Sequence, residues 1–200
     1  MYTAEQIERA VKSKGYVWFA DDRNKGYDVN IVGVRNKAVG NVVTNLFDDH
    51  ITISFKDENG NKQFYCWQAT TDAGAKAVKN YSNPKGCFRL MPSQYRNSHC
   101  IRLHNGKYEA LGQQTTMRGW RDTNKNLIFD TDIIDAGVFG INIHRSNPKT
   151  ESEYVENWSE GCQVFKKVKD FDKFMEICRK AKAIHGNSFT YTLLESTDIK

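Results

Sequence analysis

The chain has 200 residues, 26% of them charged and 12% aromatic, with a net charge of +5; that is enough apolar material for a full core and argues against disorder. The positive excess is mild and no run of five Lys or Arg occurs, which argues against a basic nucleic-acid arm and leaves an anionic surface such as a bacterial wall compatible. No stretch is apolar enough for a signal-peptide core or a membrane span, and five cysteines without framework spacing point to reduced thiols.

In chain order, Thr3-Ala-Glu-Gln6 reads as a capping box that starts a helix with Ile7, Ala10 and Val11 on one face and Gly15 as its stop. Residues 27–34 are β-branched and apolar enough for a strand. Ile51–Phe55 and Gln63–Gln68 alternate around the turn residues Asp57-Glu-Asn-Gly60, which predicts a hairpin. Ala73–Asn80 suits a short helical turn. Cys87–Met91 and Cys100–His104 read as separate strands with Pro92–Asn97 as their connection, and an Asn105-Gly106 turn leads to a strand over Tyr108–Leu111.

Asp122, Asn124, Asn126 and Asp130 place oxygen side chains at alternate positions, a weak calcium-loop candidate closed by Asp130 or Asp132. The glycine expected after the third ligand is replaced by Leu127, and Asx-rich loops are also ordinary turns. Further on, Val138–Ile143 predicts a strand that delivers His144. Residues 145–157 form a long polar connection suited to a lid or a substrate-contacting edge. Gln163–Phe165 predicts another strand. Asp170 can cap a helix carrying Phe171, Phe174, Met175, Cys178 and Ala181 at helical spacing, with Cys178 in its core stripe and Gly186-Asn187 as its end. Phe189–Leu194 is the last strand. Many short strands and few helical patterns predict a mainly β (α+β) sandwich or barrel core with flanking N- and C-terminal helices. Residues 1–200 are read as one catalytic domain, with 1–26 a helical extension and 167–200 a closing helix and strand.

The chemistry concentrates between residues 140 and 165. His144 ends an apolar run, and Cys162 follows Ser159-Glu160-Gly161 eighteen residues later. Acyl transfer needs a sulfur nucleophile, a base for its proton and backbone N–H donors for the oxyanion. Cys162, His144 and the main chain around Gly161 can supply these, while Ser159 either adds a hydrogen bond or shapes the turn. Arg145 and Arg102 are candidates for gripping a substrate carboxylate. Glu160 raises the thiol pKa if it lies close; it either points away or meets a substrate amine. A metal site from Cys87, His99, Cys100 and His104 lacks convincing ligand spacing.

The order His144, variable insert, Ser159-x-Gly161-Cys162 resembles the L,D-transpeptidase (YkuD-like) catalytic domain. Ala69–Gly74 followed by Asn83-Pro-Lys-Gly86-Cys-Phe88 is similar to that family's strand-loop run, so the likeness covers roughly residues 50–166. Glu160 stands where the family has a second His, and Arg145 where a small hydroxylated residue is usual. Tyr27–Gly33, Gln94-Tyr95, Gly106–Leu111, Asn142–His144, Gly161–Val164 and Phe189–Leu193 also resemble a group of phage-encoded proteins. The resemblance implies peptidoglycan as substrate, an acyl-enzyme on Cys162 and no cofactor. With no leader at Met1–Arg9, the expectation is a monomer that is cytoplasmic when made, with no nucleic-acid partner and no membrane segment, reaching the wall on release or delivery. That points to a phage lysin-like stem-peptide hydrolase. The alternatives are a transpeptidase forming cross-links, another type of cysteine protease, and an inactive wall-binding module.

Overall fold

The structure, a computed structural model, describes residues 2–200. Among the described residues eleven strands and three α-helices make it mainly β, as the many short strand patterns predict. The strands are β1 Asn30–Arg35, β2 Asp49–Lys56, β3 Lys62–Thr70, β4 Cys87–Leu90, β5 Ser93–His104 and β6 Tyr108–Gln113. They continue with β7 Met117–Asp122, β8 Ile134–Gly137, β9 Ile143–Arg145, β10 Gln163–Phe165 and β11 Phe189–Glu195. The helices are α1 Ala4–Ser13, α2 Ala75–Lys79 and α3 Val168–His185. Eight strands close a barrel in the order β1-β11-β5-β6-β9-β10-β3-β2, and β4-β7-β8 form a second sheet.

Alternation along each strand decides what fills the barrel. Ile31, Ile51, Ile53, Ile101, Leu111, Ile143, Phe165 and Leu193 join one core, which α3 completes with Phe171, Phe174, Met175, Cys178 and Ala181. Inside it the Tyr191 hydroxyl donates to Gln163 Oε1 at 2.6 Å. Gly33 makes room for that phenol, since a Cβ there would lie 1.9 Å from the hydroxyl oxygen. Helix α1 has the predicted capping box and buries Ile7, Ala10 and Val11. They pack against Val32, Val34 and Leu194, with about 1.5–3 kcal/mol for each large apolar side chain buried.

Four elements differ from the sequence reading. Residues 93–97 belong to β5 rather than to a connection: Tyr95 pairs with Tyr191, and the ladder shifts register between Phe189 and Tyr191, where Asn97 takes φ 51°. The expected strand at 138–143 is irregular until Ile143, because Gly140 turns to φ 75°. There the Phe139 and Ile141 N–H groups donate to Gln113 Oε1, a side-chain acceptor in place of a ladder. Helix α3 begins after Lys167, so Asp170 lies in its first turn and not at the cap. Strands β7 and β8 were not expected. Their loops carry the calcium candidate, whose side chains are engaged within the loop. Asn124 Oδ1 accepts from the Asn126 N–H, Asn126 Oδ1 from Ile128 N–H and Asp122 Oδ2 from Asp130 N–H, while Asn124 Nδ2 donates to Asp130 Oδ2. The side chains close the loop on itself as Asx turns.

Candidate active site

His144 lies in β9, and Cys162 immediately precedes the neighbouring strand β10. β9 and β10 are parallel, with Gln163 opposite Ile143 and Val164 opposite His144. Side chains alternate across a strand, so His144 shares a face with Val164 and therefore with Cys162. Ile143 and Phe165 point the other way, into the barrel core. Cys162 packs beside Val164, Phe47 and Val155 and is half-buried; His144 is buried.

The turn before the sulfur is set by small residues. Gly161 has φ 122°, and a Cβ on it would lie 2.5 Å from the Phe88 carbonyl oxygen. The Pro-x-Gly-x-Phe segment thus ends against the Gly-Cys turn, and two regions singled out separately in the sequence meet here. Ser159 is a turn residue: its Oγ donates to the Cys162 carbonyl at 2.8 Å and accepts from the Gly161 N–H at 3.1 Å. That bond occupies one of the two expected oxyanion donors. Among the described residues the Cys162 N–H has no hydrogen-bond acceptor, which leaves it as the available donor.

Glu160 is held by the loop before β4. Its carboxylate accepts from Ser82 N–H at 2.7 Å, Ser82 Oγ at 2.9 Å and Asn83 N–H at 3.4 Å, and so clamps the 82–83 loop. Of the two expectations for Glu160, those bonds match a side chain engaged within the fold. Arg145 lies with its guanidinium 4.0 Å from the Tyr108 ring centre and donates to the Ser146 carbonyl, beside His144. Arg102 lies over Gly112, where a Cβ would meet its Nε at 2.0 Å, and donates to the Gln113 carbonyl.

Electrostatically the resting pair is neutral. The Cys162 thiol donates to the Gly140 carbonyl at 3.3 Å. Burial pushes its pKa up to about 11; the Asn142 backbone N–H pulls it down and Glu160 adds to the rise. Burial pushes His144 down to about 3, helped by the neighbouring His104. His144 Nδ1 stands 2.9 Å from the Arg145 carbonyl, so Nδ1 carries the proton and Nε2 holds the free lone pair. No hydrogen bond joins the sulfur to the imidazole among the described residues.

The sequence reading missed Asn142 and Gly140, which contact the sulfur, and it saw His104 only as a metal candidate. Alternation gave the available signal for Asn142, two residues before His144 and on the same face. The metal alternative does not assemble: His99 is spent inside on Ser98 Oγ and the Ile141 carbonyl, Cys87 lies in a different cluster, and no metal-holding group of His, Cys, Asp and Glu exists among the described residues. No helix among them is long and apolar enough to cross a membrane. Comparison with models of known families, with curated proteins and with solved structures gave no match.

Proposed function

We propose that the protein is a cysteine-dependent hydrolase of peptidoglycan stem peptides. The observation that carries this reading is the shared face of Cys162 and His144, with Nδ1 of the imidazole committed to a carbonyl and Nε2 free. In the first half-reaction His144 Nε2 takes the Sγ proton as sulfur attacks the peptide carbonyl. The Cys162 N–H stabilises the oxyanion. The C–N bond then breaks, His144 returns the proton to the leaving amine, and a thioester remains on Cys162. Water attacks the thioester, His144 takes the water's proton and gives it to the leaving sulfur, and a free carboxylate is released. Because thiol and imidazole rest neutral, proton transfer accompanies attack and does not precede it.

Peptidoglycan as substrate rests on the resemblance of the His144 and Ser159-x-Gly161-Cys162 motifs to L,D-transpeptidases. An amine in place of water makes the same thioester a cross-linking intermediate. The neutral resting pair also favours a second reading, a wall-binding module without turnover. One experiment separates the three. Isolated peptidoglycan is incubated with the protein, Cys162→Ala or His144→Ala, and the products are identified by mass. New stem-peptide ends that require both residues support hydrolysis, and new cross-links support transfer. Wall pelleting without products, equal in all three proteins, overturns the enzymatic reading.

A further inference from the structure

A second histidine stands beside the His144 ring. His104, at the end of β5, stacks on His144 with ring centres 4.2 Å apart and planes 21° from parallel. The intervening strand permits the approach. With Leu111 opposite Ile143, β6 places Ala110 at the level of His144, so no large β6 side chain stands between the two rings there.

His104 is itself held. The Asn142 Oδ1 accepts from the Gln113 N–H at 2.9 Å, which fixes the amide and turns its Nδ2 to His104 Nδ1 at 3.1 Å. Nδ1 is therefore an acceptor, and the proton of the neutral ring sits on Nε2; the exposed Asn105 Nδ2 at 3.2 Å is itself a donor and makes no hydrogen bond to that tautomer. The same Asn142 touches the nucleophile through its main chain, its N–H pointing at the Cys162 sulfur. Sulfur, Asn142, His104 and His144 thus form one linked set.

From this geometry we infer that His104 is a positioning residue for His144, whose neutral ring, locked by Asn142, fixes the plane of the His144 imidazole so that Nε2 faces the sulfur. The inference rests on the reading of Cys162 and His144 as nucleophile and base. The groups facing His104 are His144 and Arg145 from β9, Tyr108 from β6 and Lys107 from the preceding turn. Burial, then Arg145 and Lys107, hold its pKa below the usual imidazole value, so the ring stays neutral at pH 7. In acid it gains a charge, loses the Asn142 bond and opposes protonation of the ring beneath it.

The test uses His104→Phe, which keeps a flat ring but neither accepts from Asn142 nor titrates, and His104→Ala, which removes the stack. Each folded variant is assayed on a soluble muropeptide, and the His144 nitrogens are read by long-range proton–nitrogen NMR. Expected are a kcat at least tenfold lower in His104→Ala with KM within twofold, and a smaller loss in His104→Phe. His104→Phe also moves the acid limb of the wild-type pH profile down to that of His144 alone, and in His104→Ala the NMR shows the His144 nitrogen signals broadened or split by more than one ring orientation. Wild-type kcat and pH profile in both variants, or His144 signals as sharp and unshifted as in wild type in both, overturns the inference. The NMR readout needs no turnover, so it stands even if Cys162→Ala shows that the enzymatic reading has failed. A His104→Ala that does not fold leaves His104→Phe to decide by its pH profile and spectrum.

Discussion

The Phe88 carbonyl oxygen presses on the α-carbon of Gly161, leaving 2.5 Å for any Cβ placed there. Gly161 also sits at φ 122°, where an L side chain is strained. Gly161→Ala is expected to lower unfolding free energy by about 2–5 kcal/mol, adding the cost of the left-handed backbone to that of overpacking. Urea denaturation measures this. A loss below about 0.5 kcal/mol, within the range of ordinary surface changes, means that β4 yields and the contact does not set the turn.

A second expectation concerns acid. Burial holds His99 at about 4 and His144 at about 3, so both stay neutral in the fold below pH 6.5, where an unfolded chain takes up protons. The unfolded state then binds more protons, and stability falls as pH drops from 6.5 towards 4 and 3. For His99 alone the loss is about 3 kcal/mol. Asp49, pushed up to about 6, runs the other way between pH 6 and 3.8 and offsets part of it. The urea midpoint should fall further between pH 7 and 4.5 in wild type than in His99→Gln; an equal fall in the two proteins removes His99 from the account.

The resting thiol should be sluggish. With a pKa of about 11 for Cys162, about one molecule in ten thousand is thiolate at pH 7, and alkylation should rise about tenfold per pH unit through pH 9. A plateau near the ordinary thiol value would show an activated nucleophile already present. Glu160→Gln removes the nearby negative charge and should speed labelling several-fold. It also weakens the clamp on Ser82 and Asn83, at a cost on the order of 1 kcal/mol.

For the 122–130 loop, calcium or a chelator should leave the Tm unchanged, because Asn124 and Asn126 already serve backbone N–H groups of the same loop. Asn126→Ala, which removes the acceptor for Ile128 N–H, should lower the Tm by a few degrees. A calcium-dependent rise in Tm would show that the Asx turns open to take the ion.

Much of this molecule is legible one segment at a time. The Thr3–Gln6 box, the Asp57–Gly60 hairpin and the Gly186 stop are local chemistry, and each stands where its residues place it. What escaped was decided by distant partners. Residues 93–97 become strand because β11 pairs with them, and 138–142 lose their strand because Gln113 supplies the acceptor. At the site, the Cys-His pairing could be proposed from motifs. The role of Glu160 as a loop clamp and the stacking of His104 on His144 depend on pairings 78 and 40 residues apart, which no local pattern encodes.

The ring of strands closes through β11, wedged between β1 and β5. Deleting that one segment would not shorten the molecule tidily. It would uncoil the ring into a bent ribbon with two raw borders of unpaired amides and carbonyls, each a template for a neighbouring copy. Truncation before Phe189 should therefore yield aggregates and not a smaller working protein.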